Sequence, residues 1–294
     1  MLYDVRLRIA YQYAAPAASS RHLVRLFPRT LPDLQRPVAT ELSVTPIPNE
    51  RGALTDFFGN QVQEIFIRPP HPSVEFRVQG RIERLAPPPP KNASKMRGLE
   101  VELKRIRDLT SESPQHYLGE TRFVRPSRFL QDYTLDLLPP DLDSATAVRT
   151  LGQALNKRMT FDPAATIVTT PHEEAFEKRR GVCQDFSHIM IACLRSVGIP
   201  AGYVSGLLRT LPPPGRPRLS GSDQMHAWVR AWCGEDAGWF EYDPTNAVDA
   251  RGDHIVIARG RDYFDVSPVK GVLRSSGSQA SVQQIDVIEV EGAA

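Results

Sequence analysis

Gly181-Val-Cys-Gln-Asp-Phe-Ser-His-Ile-Met-Ile-Ala-Cys-Leu-Arg-Ser-Val-Gly-Ile-Pro200 is the stretch on which the fold turns. Phe186, Ile189, Met190, Cys193, Leu194 and Val197 share one face at helical spacing, and Gly198 and Pro200 close the helix. Cys183 stands at its start, two residues past Gly181. A helix N-terminus presents unpaired amides and partial positive charge, and both stabilise a thiolate. Gly181 allows a sharp entry and a close substrate approach, while the apolar face behind anchors the helix. A cysteine mounted in this way is a candidate nucleophile.

Downstream, Ala201–Leu208, Gln224–Trp232, Gly238–Asp243, His254–Ala258 and Ser281–Glu291 read as strands. On the second of these, His226 shares a face with Trp228, Arg230 and Trp232. If Trp232 pairs near Trp239, Asp243 falls opposite or diagonal to His226, within side-chain reach. Cys183, His226 and Asp243 then form a candidate Cys-His-Asp set. The histidine would take the thiol proton, and the aspartate would fix its tautomer.

Upstream, Leu142 to Met159 has helical spacing. Thr170-Pro171-His172-Glu173 predicts a second helix, capped by the threonine, with proline at its first position. Three helices followed by strands make an α+β arrangement. Residues 1–90 differ: Val5, Leu7, Ile9, Tyr11 and Tyr13 alternate with polar neighbours, as do Val74, Phe76, Val78 and Ile82. Asp56-Phe-Phe-Gly-Asn60 reads as a hairpin turn. This predicts an antiparallel β-sandwich or barrel over 1–90. The four prolines in Ala86-Pro-Pro-Pro-Pro-Lys-Asn-Ala-Ser-Lys95 predict a semi-rigid spacer and a domain boundary, followed by a connecting segment, 91–139, of mixed character. The catalytic portion is expected over 140–294.

At 294 residues, with 41% hydrophobic and 24% charged, the composition suits about two globular domains. A net charge of +2 gives no reason to expect nucleic acid or an anionic membrane as partner. Three cysteines cannot build a disulfide framework, and the opening MLYDVRLRIAYQY lacks a signal peptide's apolar run. A cytoplasmic protein is expected. No Cys-x-x-Cys pair, zinc-protease helix, phosphate loop or dinucleotide fingerprint occurs, so neither metal nor cofactor is expected. Oligomeric state is not readable.

Several ordered segments carry a resemblance. Gly181 to Gly206 resembles the nucleophile segment of bacterial transglutaminase-like proteins, His226-Ala-Trp-Val their histidine strand, and Gly238-Trp-Phe-Glu-Tyr-Asp-Pro-Thr-Asn246 their aspartate strand. His254 to Pro268 and the amino-terminal Phe57-Phe-Gly-Asn60 also resemble that family. The resemblance implies a papain-like core, a cysteine-bearing helix on an antiparallel sheet, behind a β-rich domain. It implies Cys183 as nucleophile, His226 as general base and acid, and Asp243 as orienting carboxylate. The implied chemistry is acyl transfer from a peptide, protein or other amide substrate through a thioester. The acyl group passes to water (protease or amidase) or to an amine (transglutaminase).

Around that set, Trp228, Gln184 and Asp185 are candidate substrate contacts, with helix capping the competing reading for Asp185. The Cys183 amide is the natural first oxyanion donor. The glutamine that papain-like enzymes place before the cysteine is absent from Phe176-Glu-Lys-Arg-Arg180, leaving Trp228, Tyr133 or Gln131 as second donor. Cys193 and His188 read as core, and Cys233 as incidental at a hairpin tip. A different class of reading is an idle peptide-binding module lined by Trp228, Trp232 and Trp239.

Overall fold

The computed structural model describes residues 1–210, 221 and 223–290. Strand β1 (Leu2–Val24) organises the amino-terminal half. Tyr3, Val5, Leu7 and Ile9 point inward and are buried, while Arg6 and Arg8 point out, as a half-buried strand requires. Strand β2 (Gln35–Thr45) pairs with β5 (His71–Arg84), and β5 pairs with β1. Strand β3 (Glu50–Thr55) turns through Asp56–Asn60 into β4 (Gln61–Ile67), which also pairs with β1.

The pairing of β1 with β5 slips between Gln12 and Ala17, across Pro16, which has no N–H to donate. The strand therefore bends and serves two groups of partners. The expected sandwich or barrel is a single curled antiparallel sheet, half of a barrel. Two of its strands come from the far end of the chain: β13 (Val269–Arg274) and β14 (Gln279–Glu289) both pair with β1. The carboxy-terminal strands thus complete the amino-terminal sheet, across the division expected at 140. Their alternation is compatible with either sheet, so periodicity cannot choose a partner.

The segment left unplaced contains α1 (Met96–Arg105), a 3-10 turn (Pro114–Tyr117) and α2 (Arg128–Leu137). Helix α3 (Ser144–Arg158) follows, its first turn capped by Asp143, which accepts from the Thr146 N–H at 2.9 Å. Helix α4 (His172–Lys178) begins one residue later than expected. Pro171 is its cap residue, and the Thr170 hydroxyl accepts from the Ile167 amide instead. Helix α5 (Cys183–Ser196) is buried continuously from Asp185 to Leu194. Packing against α2, α3, α4 and the second sheet covers it on all sides, so its apolar residues exceed one stripe.

That second sheet is antiparallel, in the order β11 (Val248–Asp249), β10 (Trp239–Asp243), β9 (Gln224–Trp232), β8 (Ala201–Leu208), β12 (His254–Gly260). A two-residue parallel pair, β6 (Thr160–Phe161) with β7 (Arg180–Gly181), leads into α5, and the short helix α6 (Tyr263–Val266) follows β12. No helix among the described residues is long and apolar enough to cross a membrane.

Side-chain amides join the two sheets. Strand β12 is an edge strand whose outward backbone groups need partners from outside its own sheet; one is the Arg29 amide, on the Val256 carbonyl at 3.0 Å. Gln35 donates to the Val256 carbonyl at 2.7 Å and accepts from the Val256 amide at 2.9 Å. Asn60 does the same for Arg259, at 2.8 Å each way. Arg84 donates to the His254 carbonyl at 3.0 Å. Gln35, Asn60 and Arg84 are all buried, so the amino-terminal sheet substitutes for a missing strand.

Candidate active site

Three elements converge at the amino end of α5. Val182 caps the helix, and Cys183 occupies its first turn, half-buried. The Asp185 carboxylate turns back beneath this corner. Its Oδ2 accepts from the Val182 amide at 2.8 Å and from the Thr166 hydroxyl at 2.6 Å. Burial pushes the Asp185 carboxyl up, against the lowering effect of those two donors. A Cβ on Gly181 would lie 2.6 Å from the same Oδ2, so this position needs glycine for space. Asp185 therefore braces the Cys183 turn from below. Gln184 donates its side-chain N–H to the Val168 carbonyl at 3.0 Å, which ties the 162–170 loop to the helix start.

The histidine and aspartate come from neighbouring strands in the expected register, Trp239 opposite Trp232 and Tyr242 opposite Val229. His226 Nε2 lies 2.7 Å from Asp243 Oδ2. With Nε2 on the carboxylate, the other ring nitrogen is left for Cys183, which lies near enough to raise the imidazole's proton affinity. Burial alone would lower the imidazole's proton affinity. The Asp243 hydrogen bond and charge, together with Cys183, outweigh it and raise His226 to about 10. Asp243 is fully buried. Desolvation acts to raise its carboxyl, but the His226 and His254 hydrogen bonds prevail and hold it far below the usual carboxylate range.

Further donors reach that carboxylate. Its Oδ1 accepts from the amides of Thr245 at 2.9 Å and Asn246 at 3.2 Å, and its Oδ2 from Asn246 Nδ2 at 2.7 Å. His254 Nε2 completes the shell at 3.1 Å. Sequence reasoning missed Thr245, Asn246 and the contact of His254. The Asp-Pro-Thr-Asn run was a readable signal for the first two, since a carboxylate before a turn commonly accepts the next amides. His226, Asp243 and His254 offer ligand atoms within 4.8 Å of one another, the spacing of a metal cluster. Here, however, the Arg251 amide occupies His254 Nδ1, so the proton sits on the nitrogen facing Asp243 and the set is joined by hydrogen bonds.

Other expectations are corrected. Trp228 is fully buried and donates Nε1–H to Glu241 at 2.8 Å, so it backs the histidines and offers substrate neither a surface nor a donor. Gln131 donates to the Ser196 carbonyl at the far end of α5, and Tyr133 packs on Phe176. None of the three serves as second oxyanion donor. The tryptophans do not form a shared groove either: Trp228 and Trp232 are buried, and Trp239, which stacks on the buried Arg230 guanidinium at 3.9 Å, lines a cavity with Arg84 and Phe240 that includes neither of them. Cys193 and Cys233 are buried, which pushes both thiols up to about 12. The Cys233 carbonyl is not incidental, because it accepts from the Ser94 amide and the Ser144 hydroxyl. His188 is buried, stacks on Phe123 and accepts from the Tyr263 amide, and burial lowers it to about 3. Asp262 caps α6 and accepts from the Phe123 amide.

Comparison with known proteins agrees with this architecture. Residues 131–244 match the transglutaminase-like superfamily, and residues 3–83 match the bacterial transglutaminase-like N-terminal region. An uncharacterized protein of Mycobacterium tuberculosis is 32% identical over 312 residues, spanning 99% of this chain and 93% of the relative. The chain belongs to the transglutaminase-like superfamily. An uncharacterized Mycobacterium leprae protein is 30% identical over 275 residues, 91% of each chain. Among solved structures, a presumed cysteine protease from Cytophaga hutchinsonii shares the fold of this transglutaminase-like chain, with a TM-score of 0.75 at 19% identity. That match covers 100% of this chain and 92% of the other, so the curled sheet and the core recur together.

Proposed function

We propose that this transglutaminase-like protein is a cysteine hydrolase that cleaves a peptide or amide through a Cys183-His226-Asp243 triad. The observation that carries the reading is His226 held between a fully buried carboxylate and the half-buried thiol at a helix start. Cys183 Sγ attacks the substrate carbonyl as its proton rests on His226, and the first-turn amides of α5 face the developing oxyanion. His226 then gives that proton to the departing amine, leaving a thioester on Cys183. Water adds to the thioester with its proton passing to His226, and the thiol is restored as the acid departs.

The surface beside the nucleophile suits a peptide. The 162–170 loop is tied to residues flanking Cys183 by the Asp162 amide on the Gly181 carbonyl, by Thr166 on Asp185 and by Gln184 on Val168. On and beside that loop Phe161, Ile167 and Val168 are 48%, 73% and 50% exposed, an apolar lip next to the thiol. The test is trapping of an acyl-enzyme: a peptide thioester or ester substrate should add its acyl mass to Cys183 and release free acid. The Cys183→Ala protein should do neither. Incorporation of a labelled primary amine in place of water would make the enzyme a cross-linker. Peptide binding without any acyl adduct would make it a binding module.

A further inference from the structure

Asp243 receives two histidines, and the mechanism above uses one. His254 opens β12 and is buried. Its Nε2 meets Asp243 Oδ2 at 3.1 Å, the same oxygen that meets His226. Its Nδ1 accepts from the Arg251 backbone amide at 3.3 Å. A ring nitrogen that accepts carries no proton, so His254 is the neutral Nε2–H tautomer and donates to the carboxylate. An imidazolium would set its Nδ1–H against the Arg251 N–H.

The remaining sides of the ring and its backbone are also held. Trp228 packs against the imidazole edge-to-face at 5.1 Å, and the His254 carbonyl accepts from Arg84 of β5. The donors Thr245 and Asn246 belong to the turn that follows Asp243 and move with it. His254 comes from the opposite edge of the five-stranded sheet, so it ties the carboxylate across that sheet.

We propose that His254 is a positioning residue, a neutral donor that pins Asp243 Oδ2 beside His226 while the amino-terminal sheet holds that donor in place through Arg84. The proposal rests on the triad reading and deepens it, giving the amino-terminal sheet a part in the site.

Two replacements separate a donor from a filler. His254→Gln keeps an N–H able to reach Asp243, whereas His254→Leu fills the space with apolar atoms alone. Iodoacetamide alkylation of Cys183 near pH 6.5 reports how well the site activates the thiol. The Leu variant should lose about tenfold, the low end for a hydrogen bond to a charged group, and the Gln variant should recover most of it. If His254 only fills space, Leu will match or exceed Gln, and the proposal fails. On the wild-type protein, nitrogen-15 shifts of the His254 ring should show Nε2 protonated and Nδ1 bare. A proton on Nδ1 overturns the proposal whether or not any variant folds. A wild-type Cys183 no more reactive than free cysteine would instead overturn the hydrolase reading, and the ring shifts would still judge His254.

Discussion

His226 Nε2 and Asp243 Oδ2 are 2.7 Å apart, and the carboxylate that makes this contact has no exposed surface. A buried carboxylate without donors would take up a proton, so the five donors around Asp243 are what keep it ionised. Asp243→Asn should leave the fold near native but present the ring with a neutral partner of altered donor pattern. We expect turnover to fall by about 10³–10⁴, with a smaller change in KM. Steady-state kinetics on a peptide ester checks it, and retained turnover would remove Asp243 from the mechanism.

The raised proton affinity of His226 makes stability depend on pH. Its folded-state value, about 10, lies above the unfolded value of about 6.5, so the bound proton stabilises the native state. That contribution is complete below about 6.5 and fades as pH climbs through the folded value. Denaturant unfolding of the wild type and His226→Gln should therefore show a stability gap that narrows from pH 6.5 to 10. A gap that widened over that window would contradict the ion-pair arrangement.

Asn60 and Gln35 each satisfy an N–H and a C=O on the β12 edge. Asn60→Ala leaves both Arg259 groups without that partner and should cost about 1–3 kcal/mol. Gln35→Ala orphans only the Val256 N–H, because the Val256 carbonyl keeps the Arg29 amide, and should cost toward the low end of that range. Urea denaturation at fixed pH measures both, and changes within about 0.5 kcal/mol, as for ordinary surface positions, would show that the splint carries no weight.

The apolar lip beside Cys183 predicts specificity. Phe161→Ser and Ile167→Ser remove exposed side chains, so stability should change little. KM for a peptide with bulky apolar residues should rise about tenfold, and that for a small polar ester should not. Equal effects on both substrates would show that the lip is not a contact.

Much of the core was legible because local chemistry and tertiary role agree there. Cys183, the α5 face, and the register of Trp239 on Trp232 follow from helical period, capping position and strand alternation. Other features depend on partners remote in the chain. Trp228 looks like a groove residue until Glu241 is seen accepting its N–H, and β13 and β14 have nothing local that points to β1. The second histidine on Asp243 is of the same kind, since only the sheet brings His254 beside it.

The bend in β1 governs how the protein can be made. β1 carries the sheet's framework, yet β13 and β14, which pair along it, are synthesised more than 200 residues later. The amino-terminal sheet cannot close until the transglutaminase-like segment between has emerged and brought β13 and β14 back, a long-range closure of the slow-folding kind. Until then β1 offers exposed edges along both of its halves, and those edges mark the nascent chain's interval of greatest exposure to aggregation.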